Sequence, residues 1–200
     1  GQVGGGVLHW RPVPEAMSFA ADERVDELSQ RGPVTPDHVI RTKQRPLVVD
    51  LLGAPEERRA EVLVAALERY RADYRAYFAA QCAARGVTRV MLDPQPRVLL
   101  VPGLGLIAAG ADEVAARVAA DLYERTIAVI RDAEAIGRYQ ALPDGDIFDM
   151  EYWSLEQAKL GKATVKPLAG RIVYITGAAS GIGLATAKRF AAAGALLYLV

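Results

Sequence analysis

The stretch from Arg171 to Val200 constrains the fold more than any other part of the chain. Arg171-Ile172-Val173-Tyr174-Ile175 is short, apolar and β-branched, the composition of a buried strand. Leu184 to Ala191 has helical composition and no breaker, and Gly194 follows as a stop signal. Ala195 to Val200 then reads as a second strand. A strand, a glycine-rich turn, a helix and a strand in this order predict a β-α-β unit.

The turn itself is Thr176-Gly177-Ala178-Ala179-Ser180-Gly181-Ile182-Gly183. Gly177 lets the chain turn off the strand, Gly181 keeps side chains away from an approaching ligand, and Gly183 permits close helix packing. The helix N-terminus offers free N–H groups and a partial positive charge to a pyrophosphate. Thr176 and Ser180 add hydroxyls, and Ile182 completes the Gly-Ile-Gly ending. These six positions, Thr176, Gly177, Ser180, Gly181, Ile182 and Gly183, form the candidate cofactor site. Neither Ala179 nor Ser180 is basic, which favours NAD and leaves NADP open.

The pattern Thr-Gly-x-x-x-Gly-x-Gly resembles the cofactor loop of short-chain dehydrogenases/reductases. The resemblance covers about residues 168–200. It implies hydride-transfer chemistry carried by a Ser, a Tyr and a Lys that would lie past Val200, together with the acidic residue that holds the adenosine ribose. No catalytic residue is therefore assigned within this chain.

The chain has 200 residues, 52% of them apolar, which is enough for one or two domains with a sizeable core. Lys plus Arg number 24 and Asp plus Glu also number 24, so no basic surface marks a nucleic-acid partner. No apolar run reaches the length of a membrane span. Cys82 is the single cysteine, cannot form an internal disulfide and fits a reducing cytoplasm. Gly1 to Gly6 has neither the basic nor the apolar region of a signal peptide and reads as a linker or a cut loop.

Residues 1–16 are punctuated by Gly and Pro and read as irregular. Ser18 is a candidate cap for a helix over Phe19 to Gln30, and Thr35-Pro36-Asp37 opens a short helix ending near Thr42. Pro46 to Asp50 is a candidate strand. A long helix follows from Ala54-Pro55-Glu56-Glu57 to Gly86, with Leu63, Leu67, Tyr70, Tyr74 and Tyr77 on one stripe. Cys82 near its end reads as a small buried hydrophobe. Arg97–Val101 and Leu106–Ala109 predict a hairpin about Pro102-Gly103-Leu104-Gly105. Asp112-Glu113 starts a second long helix to Ile136, with Val114, Val118, Leu122, Thr126, Val129 and Ala133 as its inner face. Glu113 with Arg117 and Asp121 with Arg125 are expected surface pairs. Leu142 to Asp146 reads as a turn, Ser154 to Leu160 as a short helix, and Gly161 to Pro167 as a linker.

Three stretches carry a second resemblance: Arg31 to Lys43 (RGPVTPDHVIRTK), Val101 to Leu106 (VPGLGL) and Glu151 to Gly161 (EYWSLEQAKLG). Their order, running into TGAASGIG, resembles the bifunctional rhamnulose-1-phosphate aldolase/short-chain dehydrogenases over about residues 30–200. That resemblance implies an α/β fold, with an aldolase-like domain followed by the first β-α-β unit of a Rossmann domain. It divides the chain into a lead-in over 1–45, an aldolase-like domain over 46–161 and a Rossmann start over 162–200. It also implies NAD-linked aldehyde oxidation and cleavage of a sugar phosphate in the parent enzyme.

A class II aldolase uses a divalent metal to polarise its substrate carbonyl, and the family supplies three His ligands, two as His-x-His. Here only His9 and His38 exist, without that spacing, and Leu104 stands at the ligand-like place before Gly105. The expectation is a domain that binds no metal. His38 reads as an ordinary histidine in the first turn of a short helix, hydrogen-bonded to Asp37 or a carbonyl. Arg41 and Lys43 are candidate phosphate contacts, or else solvated partners of a helix end. Two functional readings follow: part of an NAD-dependent enzyme, taking a dinucleotide and a sugar-phosphate or aldehyde substrate, or a catalytically silent module for packing and homo-oligomer assembly.

Overall fold

The computed structural model describes residues 6–159 and 166–200. Gly1 to Gly5 and the boundary expected at Gly161 lie outside the described residues.

The first part is an α/β/α sandwich on a four-stranded mixed sheet of order β1-β4-β3-β2. Its strands are β1 (Val7–Arg11), β2 (Leu47–Val48), β3 (Val98–Val101) and β4 (Gly105–Gly110). β3 and β4 form the expected hairpin, with Val101 opposite Gly105. β2 runs parallel to β3 and is joined to it by the long helix α4 (Arg59–Arg85), as a parallel pair requires.

Alternation along the strands builds two cores. Val98, Leu100, Leu106 and Ala108 face α5 (Glu113–Ile136) and α1 (Pro14–Ala20). Leu99, Val101 and Ile107 face the other way, onto Leu63, Ala66, Leu67 and Tyr70 of α4. Asp112 caps α5 by accepting from Ala115 N–H at 2.8 Å. Gly86 ends α4 in the left-handed conformation at φ 62°.

Residues 7–16 are not irregular as expected. β1 pairs with β4 over its whole length, and α1 begins at Pro14, a favoured first helical residue. Residues 7–42 therefore belong to the same sheet and core as the rest of this domain, not to a separate lead-in. Ser18 lies inside α1 rather than capping a helix, and a turn over Ala21–Arg24 separates α1 from α2 (Val25–Ser29). Thr35-Pro36-Asp37 does start helical structure: a 3-10 turn over Pro36–His38 runs into α3 (Val39–Thr42).

The inner face of α5 agrees with the expected one at Thr126, Val129 and Ala133 and differs elsewhere. It carries Ala116, Ala119, Ala120, Tyr123, Thr126, Ile127 and Ile130, whereas Val114 is exposed. Ala119, Ala120, Ile127 and Ile130 of this face join one core with Val98, Leu100, Leu106 and Ala108 of the sheet. Glu113 and Arg117 pair at 3.6 Å, but Asp121 bonds Arg11 of β1 rather than Arg125, and Glu124 joins it at 2.7 Å.

The Leu142–Asp146 turn is in fact the entry to α6 (Asp144–Glu151). Pro143 precedes it, and Asp144 and Asp146 sit in the first turn, where the helix dipole favours acid. Ile147 and Phe148 bury the inner side of α6, and Phe148 and Tyr152 stack at 4.6 Å beneath Phe78 of α4. α7 (Ser154–Lys159) follows as expected. Cys82, on α4, is half-buried and free.

The C-terminal unit consists of β5 (Ile172–Ile175), α8 (Gly181–Ala192) and β6 (Leu196–Leu199), with β5 and β6 parallel. Ile175, Ala178 and Ala187 form its core, with Val173, Phe190 and Leu197 against them. No helix among the described residues is long and apolar enough to cross a membrane.

Candidate functional site

All six residues of the candidate cofactor site lie together, between the end of β5 and the first turn of α8. Gly177 and Gly181 have φ of 64° and 54°, and a Cβ at either would meet nothing within 4 Å, so open space lies before both. Ser180 occupies the N-cap in extended conformation, and its hydroxyl makes no capping bond. Intrahelical bonding begins with Leu184 N–H to the Ser180 carbonyl at 3.1 Å. The N–H groups of Gly181, Ile182 and Gly183 thus precede the first helical bond, at the positive end of a helix from Gly181 to Ala192. Thr176 and Ile182 are exposed at the same end.

Gly183 is fixed by close approach. A Cβ there would stand 2.2 Å from the Gly177 carbonyl oxygen and 2.7 Å from its carbon. The contact is with the turn's own backbone, so Gly183 sets the shape of the loop as well as helix packing. Val200 N–H to the Ile175 carbonyl at 2.9 Å ties the end of β5 to the end of β6. Anions are attracted to such an end by unpaired N–H groups and the helix dipole.

A second constellation lies in the first domain. Lys43 is 6% exposed and Glu151 fully buried, and their Nζ and Oε1 atoms are 3.3 Å apart. Lys43 Nζ also donates to Tyr74 Oη at 3.0 Å, and Tyr74 Oη donates to Glu151 Oε1 at 2.8 Å. Tyr152 Oη lies 2.8 Å from Tyr74 Oη and accepts from Leu92 N–H at 3.2 Å. Glu151 Oε2 is buried without a hydrogen-bond partner among the described residues. Burial lowers the Lys43 pKa against the opposing charge of Glu151, and burial raises that of Glu151 against the charge of Lys43. Burial also drives the Tyr74 hydroxyl far above its ordinary value.

Lys43 is therefore neither a solvated helix-end partner nor an open phosphate contact: its charge is spent inside the protein. His38 ends the 3-10 turn, and its buried Nδ1 has no hydrogen-bond partner among the described residues, so the expected bond to Asp37 or a carbonyl is absent on that nitrogen. Burial lowers its pKa, and the Asp37 charge opposes the shift. Sequence reading missed the Lys43–Glu151 pair. Its only trace was that Lys43 closes one of the resemblance-bearing stretches and Glu151 opens another, with Tyr74 on the aromatic stripe.

The fold agrees with comparison to known proteins. The model of the family described as aldolase class II, second domain, matches residues 4–160, and the chain belongs to that family. A curated protein of Bacillus subtilis (strain 168), named "Uncharacterized oxidoreductase YuxG", is 31% identical over 191 residues. The match covers 94% of this chain, which spans 27% of that relative's length.

The residues described do not fit the metal centre of a class II aldolase. No three His, Cys, Asp or Glu side chains among them converge on a common point. His9 lies in β1, with Nε2 3.4 Å from Arg11 Nη2, and Leu104 in the hairpin turn accepts from Trp10 Nε1 at 2.7 Å.

Proposed function

We propose that this chain joins a class II aldolase-type domain lacking the metal-binding set to the opening β-α-β unit of a Rossmann domain of the short-chain dehydrogenase type. The loop from Thr176 to Gly183 would hold the pyrophosphate of NAD, with NADP not excluded. One observation carries this reading: Gly183 packs against Gly177 so closely that a Cβ would lie 2.2 Å from its carbonyl, leaving three N–H groups ahead of the first α8 bond. The oxidoreductase name of the Bacillus relative supports it. In the parent enzyme the reaction is NAD-linked oxidation of a small aldehyde, coupled to cleavage of a sugar phosphate. The free thiol of Cys82 fits a cytoplasmic setting.

Residues 4–160 have a second reading, favoured by the missing ligand set: a packing and assembly module that performs no aldol chemistry of its own. Calorimetry with NAD on the wild-type protein and its Gly183→Val variant tests the cofactor assignment. Weakened binding in the variant is expected, and unchanged affinity would remove the cofactor from this loop.

A further inference from the structure

Lys43 has φ 65° and ψ 171° and is the single non-glycine residue with positive φ among those described. This region of backbone space is almost confined to glycine, and residues held in it cluster at functional sites. The strain has a local consequence. It ends α3 at Thr42 and sends the next residues across α4 and α6, where each is pinned. Gln44 Nε2 donates to Asp144 Oδ1 at 2.5 Å, and Arg45 Nη2 donates to the same oxygen at 3.2 Å. The Arg45 carbonyl accepts from Tyr70 Oη at 2.9 Å, and the Pro46 carbonyl accepts from Gln30 Nε2 at 3.1 Å.

Gln30, Gln44, Arg45 and Tyr70 wall a cleft of about 290 Å³, separate from the glycine-rich loop. Tyr70, Tyr74 and Tyr77 give it aromatic faces, and Asp73 adds a carboxylate. Tyr74 belongs to both arrangements: its ring lines the cleft while its hydroxyl is held by Lys43 and Glu151. The polar atoms left over are mostly acceptors. Both glutamine amides use their NH₂ groups elsewhere, leaving Oε1 without a partner among the described residues, and the Asp73 carboxylate forms no ion pair there. Arg45, the one guanidinium in the lining, already shares its charge with Asp144.

Such a lining disfavours an anion, because Asp73 repels it and Arg45 is engaged. It suits hydroxyl groups, which donate to Oε1 and to a carboxylate, and whose C–H faces rest on tyrosine rings. We propose that this cleft binds a small neutral polyol, acyclic sugars included, and that the backbone of Lys43 is the positioning element that presents Gln44 and Arg45 to it.

The test is an ¹H–¹⁵N NMR titration of the 200-residue chain with erythritol and ribitol, with inorganic phosphate in parallel. The expected result is a saturable shift at the Gln30 and Gln44 side-chain amides with a polyol and none with phosphate. Asp73→Ala, on the exposed side of α4, and Gln44→Ala should each weaken binding about fivefold to tenfold. No saturable shift, a response to phosphate instead, or undiminished binding in both variants would overturn the proposal. The positioning role is read from two double variants that both remove the buried charges. Lys43→Gly/Glu151→Gln, which can keep the turn, should bind as wild type, and Lys43→Ala/Glu151→Gln should bind more weakly; equal binding by the two would refute that role.

Discussion

The Nζ of Lys43 lies 3.3 Å from Oε1 of Glu151, a residue 108 positions further along the chain. This contact joins the end of α3 to the end of α6, with Tyr74 of α4 bonded to both. Three elements distant in sequence are thus held by one buried polar cluster. Such a cluster is costly when half-satisfied and specific when complete.

The pair makes a prediction about coupling. Lys43→Met leaves a buried carboxylate without its counter-charge, and a loss of about 3–5 kcal/mol is expected. Lys43→Met/Glu151→Leu removes both charges and should recover most of that loss. Urea denaturation of the single and double variants measures the cycle; additive losses would mean that the two side chains do not act as a pair.

Acid stability should depend on Glu134. Its carboxylate accepts from Tyr139 N–H at 2.7 Å, from Arg31 at 2.6 Å and from Arg24 at 2.8 Å. The Tyr139 N–H and then the two guanidiniums hold its pKa down at about 2. A depressed carboxylate contributes stability above its unfolded pKa of about 4.3 and loses it as pH falls toward the folded value. Between about pH 4 and pH 2 the wild type should therefore lose stability faster than Glu134→Gln. Parallel curves for the two proteins would contradict this.

Metal content gives a separate check on the first domain. With Leu104 in the hairpin turn and His9 and His38 in unrelated elements, purified protein should contain no stoichiometric zinc. Elemental analysis finding one tightly held zinc per chain would overturn the metal-free assignment.

Much of the fold was legible because local signals and burial agreed. Asp112 before an apolar helix, Gly86 after one, Thr35-Pro36-Asp37 and the β3–β4 hairpin each stand where the sequence places them. The C-terminal strands and helix stand where local signals place them, down to Gly194 with φ 92° after α8, but β5 is not the buried strand expected: Ile172 and Tyr174 are exposed. Elements defined by partners were not. Leu8 and Trp10 of β1 are exposed, so the strand owes its form to pairing with β4 and shows no inward alternation of apolar residues. Pro143-Asp144-Gly145 has turn composition, and α6 is stabilised instead by Phe148 against Phe78 and Tyr152. In α5 Thr126, Val129 and Ala133 lie on the core side as expected, but the stripe also carries Ala116, Ala119 and Ala120, which their spacing among many alanines does not single out. The glycine-rich turn is local in sequence, so its geometry was readable. Lys43 and Glu151 meet only through the tertiary fold, and neither reveals its burial in sequence.

The turn into α8 is proposed as a dinucleotide pyrophosphate site. An ¹H–¹⁵N NMR titration with NAD reads it directly, because the backbone amides of Gly177, Gly181, Ile182 and Gly183 report on the loop itself. Shifts concentrated at these amides are expected, even where affinity is weak, and should be lost in Gly183→Val. Shifts that map elsewhere, or a loop that stays silent at saturating NAD, would contradict it.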